Sequence, residues 1–145
     1  MDITLRKATK SDLDFLVNLR DLTMRKYLDE VGAPVTREAY LERINYQFED
    51  AKIIELDNKA IGLFKVTYLS ESNQLYIAQI QIEPEYQGLS VGSYLINQVI
   101  NEAYKNKQSV SLNVLKSNPA QKLYSKLGFK KVGESETEFN MEYQA

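Results

Sequence analysis

Apolar and polar residues alternate at Ile3-Thr4-Leu5-Arg6-Lys7, the period-two pattern of a half-buried strand. Ser11 or Asp12 then offers a helix N-cap. From there Leu13, Leu16, Val17, Arg20, Met24, Tyr27, Leu28 and Val31 recur at helical spacing, with Arg20 the only charged interruption. The pattern predicts one long helix ending near Gly32, a glycine placed where helices commonly stop. After Pro34, Thr36 is positioned to cap a second helix carrying Tyr40, Leu41, Ile44 and Phe48.

A β-rich middle follows. Residues 51–56, 60–69 and 74–83 read as three strands of an antiparallel meander, joined by turns at Asp57-Asn58-Lys59 and Glu71-Ser72-Asn73. Gly62, inside the second of these strands, marks a close backbone approach. Val91, Leu95, Val99 and Ala103 then fall four apart, flanked by Ile96 and Ile100, which predicts a helix packing one face on the sheet. With a strand at 110–114, the span 74–114 becomes a strand–helix–strand unit whose two strands run parallel. Asn118 can cap a further helix with Ala120, Leu123, Tyr124 and Leu127 inward and Gly128 as its stop. Strands at 129–133 and 138–143 complete the chain, the second with Phe139, Met141 and Tyr143 on one face. No repeat, low-complexity tract or interdomain linker interrupts the order, so a single domain over residues 1–145 is expected.

Composition narrows the chemistry. The 43% apolar and 26% charged residues fit an ordinary folded domain and argue against disorder. Net charge is −2 with Lys and Arg scattered, so no basic face for nucleic acid is expected. There is no His and no Cys, which removes Ser-His and Cys-His dyads, thiol nucleophiles, disulfides and His- or Cys-ligated metals. No metal is expected. Tyr, Glu, Asp, Lys, Ser and backbone groups must carry any reaction. No apolar run approaches the ~18 residues of a membrane span, and Met1-Asp2-Ile3-Thr4-Leu5-Arg6 lacks a signal-peptide core. A soluble cytoplasmic protein without a membrane partner is the expectation.

The segment Glu85-Tyr86-Gln87-Gly88-Leu89-Ser90-Val91-Gly92-Ser93 joins a strand to a helix. The first turn of a helix leaves its amides without intrahelical acceptors, and the helix dipole adds positive potential there, so such a junction suits a phosphate. It is not a nucleotide P-loop, because no Lys follows Gly92, and its glycine spacing does not fit the dinucleotide fingerprint. Taken alone, the loop is equally well an ordinary strand-to-helix turn.

Taken with Asn118-Pro119-Ala120-Gln121-Lys122-Leu123-Tyr124-Ser125-Lys126-Leu127-Gly128-Phe129, it resembles the GNAT superfamily of acyl-CoA-dependent N-acyltransferases. That family carries Gln/Arg-x-x-Gly-x-Gly/Ala at its pyrophosphate loop and an Asn/Ala/Leu-Tyr/Gly-Phe helix about thirty residues later. The resemblance extends over essentially the whole chain. Here Ser90 replaces the family's first glycine, and Ala120 stands two residues after Asn118. The resemblance implies an α/β (α+β) fold in one domain, a mixed, mostly antiparallel twisted sheet of six to seven strands with about four helices. It implies acetyl-CoA as co-substrate and an amine acceptor on a small molecule, peptide or protein. A homodimer is common among such relatives.

The resemblance also assigns roles. Backbone groups of Ile80, Gln81 and Ile82 would pair with the pantetheine arm, with an amide near Ile82 polarising the carbonyl. Gln87, Gly88, Leu89, Ser90, Val91, Gly92 and Ser93 would hold the pyrophosphate; Asn113, Asn118 and Ala120 would contribute further cofactor contacts. Tyr124 would also face the cofactor and act as general acid, because a phenol with pKa of about 10 stays protonated at neutral pH. Glu83, at the strand end, is the candidate base. Tyr27 and Glu30 are candidates for the acceptor. A non-catalytic acyl-CoA-binding sensor of the same fold is the other reading.

Overall fold

A carboxylate sets where the first helix begins. The structure is a computed structural model that describes residues 2–144. In it Asp12 accepts the Thr9 amide at 2.8 Å and both terminal nitrogens of Arg6, at 2.9 and 3.0 Å. Asp12 occupies the N-cap position of helix α1, Leu13–Glu30, as expected, but its side chain reaches back to Thr9, which opens a short 3-10 turn, Lys10–Asp12, leading into the helix. The Arg6 hydrogen bonds hold the Asp12 carboxyl below its ordinary pKa, against the opposing pull of burial. Arg6 belongs to strand β1, Ile3–Lys7.

The inward face of α1 differs in detail from the expected stripe. Leu16, Leu19 and Leu28 are its buried apolar positions, whereas Val31 lies beyond the helix end and is exposed. Gly32 follows with φ +70°, as a glycine stop requires. Thr36 Oγ1 accepts the Ala39 amide at 3.2 Å and caps helix α2, Arg37–Asn45. Phe48 falls outside this helix, because Gln47 turns left-handed (φ 49°) and starts a separate 3-10 turn, Phe48–Asp50.

The strands are β2 (Ala51–Leu56), β3 (Lys59–Leu69), β4 (Gln74–Ile82), β5 (Ser109–Leu115), β6 (Lys130–Glu134) and β7 (Glu138–Tyr143). They form one seven-stranded sheet in the order β1-β2-β3-β4-β5-β7-β6. Asp57 and Asn58, both at positive φ, make a two-residue turn, so Lys59 already belongs to β3. β2 and β3 pair antiparallel, and β4 and β5 pair parallel from Gln74↔Ser109 to Ile77↔Leu112, as the strand–helix–strand reading required. Helix α3, Val91–Lys105, is the crossover. Helix α4, Ala120–Lys126, precedes the final antiparallel pair.

Contacts cluster in two compact units: residues up to Lys65 with Gln79–Val91, and Val66–Ala78 with the chain from Gly92 onward. In the first, Leu16, Leu19, Ile44, Ile53, Ile61 and Leu63 form an apolar core that also encloses a charge, Lys65, fully buried. Its ammonium donates to the carbonyls of Arg43, Ile44 and Tyr46 at 3.2, 2.9 and 2.5 Å. Those are last-turn carbonyls of α2, which a helix cannot satisfy itself and whose dipole end favours a cation. Burial, and then Arg43 and Arg20, push the Lys65 pKa down to about 8, with Asp50 and Glu49 opposing that shift.

In the second unit Leu95, Ile96, Val99, Ile100 and Ala103 of α3 are buried, following the predicted spacing. Of the three β7 residues expected on one face, Met141 is buried and Phe139 and Tyr143 are half-buried. Phe129 precedes β6 rather than starting it; its buried ring lies between those of Tyr124 and Tyr143, at centroid distances of 6.1 and 5.9 Å. No helix among the described residues is long and apolar enough to cross a membrane.

Gly62 is the close approach anticipated in β3. A β-carbon there would lie 2.3 Å from the Gln81 carbonyl oxygen, a backbone atom that cannot step aside alone. Gly62→Ala is expected to destabilise the fold by about 2–3 kcal/mol, read from the chemical denaturation midpoint. A loss below about 0.5 kcal/mol would show that the two strands can part freely.

Candidate functional site

The loop that follows β4 is built from missing partners. The Glu83 amide donates to Ile61 at 2.8 Å as the last rung of the strand, and Pro84 then has no amide to offer. A 3-10 turn, Pro84–Tyr86, is closed by Tyr86 and Gln87 amides donating to Glu83 and Pro84. Beyond it the amides of Gly88, Leu89 and Ser90 donate to no described residue, and all three residues are exposed. Gly88 (φ +84°) and Ser90 (φ +65°) are left-handed, the kind of backbone that turns successive amides toward one concave side. Helix α3 begins at once, adding the free first-turn amides of Val91, Gly92 and Ser93 and the positive end of its dipole. Six consecutive donors at a helix start fit a diphosphate.

Two expectations about this loop change. Ser90 matters for a reason sequence pattern alone did not reveal: its position requires a left-handed backbone, which costs a residue with a β-carbon about 1–2 kcal/mol. Gln87 is engaged by its own chain, its side-chain amide donating to the Ile82 carbonyl at 2.9 Å. The Gln87 side chain thus pins the strand end. Lys59 braces the same turn from β3, donating to the Tyr86 hydroxyl at 3.0 Å and lying 3.9 Å from Glu85. Glu83 is half-buried at the strand end, and Glu85 is the exposed member of the pair. Ile80 and Ile82 are half-buried, while Gln81 is buried with its Oε1 unpartnered.

The second unit holds the predicted helix residues. Asn118 Oδ1 accepts the Ala120 amide at 2.9 Å, so the expected cap is present; its Nδ2 donates to no described residue. Ala120, Leu123 and Leu127 are only half-buried, which makes Tyr124 the buried residue of α4. The Tyr124 hydroxyl hydrogen-bonds to no described residue, yet its oxygen is not among the sealed unpartnered atoms. Burial pushes its pKa up to about 12. Asn113 is otherwise engaged: its Nδ2 donates to the Tyr76 hydroxyl at 3.2 Å and its Oδ1 accepts from Asn140 at 2.5 Å. This ladder across three strands has no trace in local sequence, since it depends on pairing Asn113 with Asn140.

In the first unit, Tyr27 is half-buried and Glu30 exposed at the end of α1, and neither side chain hydrogen-bonds to a described residue. Tyr40, read from sequence only as a core position, donates to Asp21 at 2.7 Å and lies beneath the Arg20 guanidinium. Among the described residues, no cluster of three Asp or Glu side chains could hold a metal ion.

Comparison with known proteins gives a consistent picture. Residues 23–142 match the family described as Acetyltransferase (GNAT) domain. The putative ribosomal protein bS18-alanine N-acetyltransferase of Bacillus subtilis is 33% identical over 105 residues, 70% of this chain and 68% of that protein. Cysteine-rich protein 2-binding protein from mouse is 31% identical over 85 residues, and the chain spans only 11% of that protein's length. Among solved structures, PaiA N-acetyltransferase from Thermoplasma acidophilum in complex with coenzyme A superposes with a TM-score of 0.73 at 19% identity, over 100% of both chains. Spermidine N-acetyltransferase from Vibrio cholerae with CoA and spermine gives 0.72 at 24% identity, over 98% of this chain and 95% of that one. Likenesses at such identities are likenesses of fold.

Ser90→Gly is expected to raise stability by about 1 kcal/mol, a rise in Tm of about 2–4 °C for a chain of this size. Calorimetry that finds the glycine variant less stable than wild type would contradict the left-handed assignment.

Proposed function

The chain belongs to the GNAT acetyltransferase family, and from that premise we propose that it transfers acetyl from acetyl-CoA to a primary amine of a small molecule, peptide or protein. The observation that carries this reading is the run of unpartnered amides at Gly88, Leu89 and Ser90, opening directly into α3. Acetyl-CoA would supply an acyl group already activated as a thioester. In this proposal the loop amides, with those of Val91, Gly92 and Ser93, hold the diphosphate. The backbone of Ile80, Gln81 and Ile82 carries the pantetheine arm, and the free Asn118 Nδ2 and the start of α4 at Ala120 add contacts.

Acyl transfer needs a neutral amine, a polarised carbonyl and a proton for the departing sulfur. Tyr124 is the proton donor of the proposal. Its phenol stays protonated until pH approaches 12, and it has no competing partner among the described residues. Glu83 accepts the proton that the amine loses on attack. An α-amine with pKa of about 8 needs less help than a lysine near 10.4, which favours α-amines as acceptors. Tyr27 and Glu30 stand on the acceptor side.

The test is amine-dependent release of free thiol from acetyl-CoA. Tyr124→Phe is expected to lower kcat by about 10²–10⁴-fold while CoA binding persists. Because the phenol is pushed up rather than down, the wild-type rate should rise as the acceptor amine deprotonates and show no descending limb from Tyr124 below about pH 11. CoA binding without thiol release across a broad amine panel would contradict transfer and leave a binding module.

A further inference from the structure

Arg20 is the charge that interrupts the apolar stripe of α1, and the transfer reaction leaves it without a role. Its guanidinium lies 5.6 Å from the centroid of the Tyr40 ring. Its Nε is sealed from solvent with no hydrogen-bond partner, whereas its two terminal nitrogens are neither sealed nor bonded to a described residue. Arg6, Arg25 and Arg37 each have a carboxylate within 3.2 Å; Arg20 has none among the described residues. Asp21, its sequence neighbour, is taken by the Tyr40 hydroxyl and by Arg25.

The surroundings are short of negative charge. Burial and the nearby Arg43 both lower the Arg20 pKa; Tyr40 acts against them, and no carboxylate does. Lys65 feels Arg20 and Arg43 as well, with Asp50 and Glu49 as the acids acting on it. A partly desolvated cation with no counter-ion is costly, and an anion that reaches it recovers that cost. A guanidinium over the face of an aromatic ring, with its terminal nitrogens bonded to no described residue, presents the planar fork that carboxylates match. Met24 and Tyr27 follow on the same helical face, Tyr27 about 10 Å further along the axis.

We propose that Arg20 is a carboxylate-binding subsite for the acyl acceptor, so that the substrate is an amine carrying an acidic group, as in a peptide with Glu or Asp near its N-terminus. This rests on the reading that Tyr27 and Glu30 of α1 stand on the acceptor side. A polycationic amine would meet the Arg20 guanidinium with like charge.

The experiment compares Ala-Glu-Ala-amide with Ala-Gln-Ala-amide as acceptors, alongside spermidine, for wild type, Arg20→Met and Arg20→Lys. Wild type should show a KM about tenfold lower for the Glu peptide, the increment of one charged hydrogen-bonded contact. Arg20→Met should close that gap with the KM for acetyl-CoA unchanged, and Arg20→Lys should keep part of it; the Lys variant decides the matter if the Met variant fails to fold. Should no amine release thiol, calorimetric binding of the two peptides to wild type and variants tests the subsite independently of turnover. Equal KM or affinity for the two peptides, a gap that survives Arg20→Met, or preferred use of spermidine would overturn the proposal.

Discussion

Strand β4 gives up its hydrogen-bond ladder within two residues. Glu83 donates the final rung to Ile61, and Pro84 has no amide with which to continue. A strand that faded gradually would leave its amides to neighbouring backbone or to a cap. Here the tight 3-10 turn, pinned by Gln87 to Ile82 and braced by Lys59 on Tyr86, closes its own bonds and delivers the next three amides unpaired at the start of α3. The suitability of the junction for an anion follows from that arithmetic of donors and acceptors, reinforced by the helix dipole. Gly62 belongs to the same constraint, since any side chain there would push against the Gln81 carbonyl two positions before the exit.

The first unit solves the opposite problem, a surplus of acceptors. The last turn of α2 leaves carbonyls without helical partners, and Lys65 of β3 satisfies those of Arg43, Ile44 and Tyr46. That ammonium fastens α2 to β3, and the Tyr40–Asp21 hydrogen bond ties α1 to α2. The arrangement concentrates positive charge under the two helices, and Arg20 shares in it without a carboxylate of its own. Helix anchoring and the proposed acceptor preference are thus consequences of one electrostatic choice.

Periodicity made most of this fold legible. The α3 stripe from Val91 to Ala103, the β2–β3 turn at Asp57-Asn58 and the parallel β4–β5 pair each followed from spacing and turn chemistry. The clearest error fell where a single residue outweighed the pattern: Gln47 going left-handed excluded Phe48 from α2. In the candidate site, the loop, the Asn118 cap and the buried Tyr124 could be picked out in advance. The Asn113–Asn140 and Lys65–α2 contacts could not, because they join residues distant in sequence. A lysine inside an otherwise apolar strand was the available sign of the second. Ser90 was noticed as a departure, but its left-handed backbone is a property of the turn and not of the motif.

The central claim, that the amides of Gly88, Leu89 and Ser90 receive a diphosphate, is tested most directly by following backbone amide resonances during titration with CoA and, separately, with pantetheine. Large shifts of these three amides with CoA, absent with pantetheine although the β4 resonances respond to both, are the predicted result. CoA binding that leaves the three amides unmoved would contradict it.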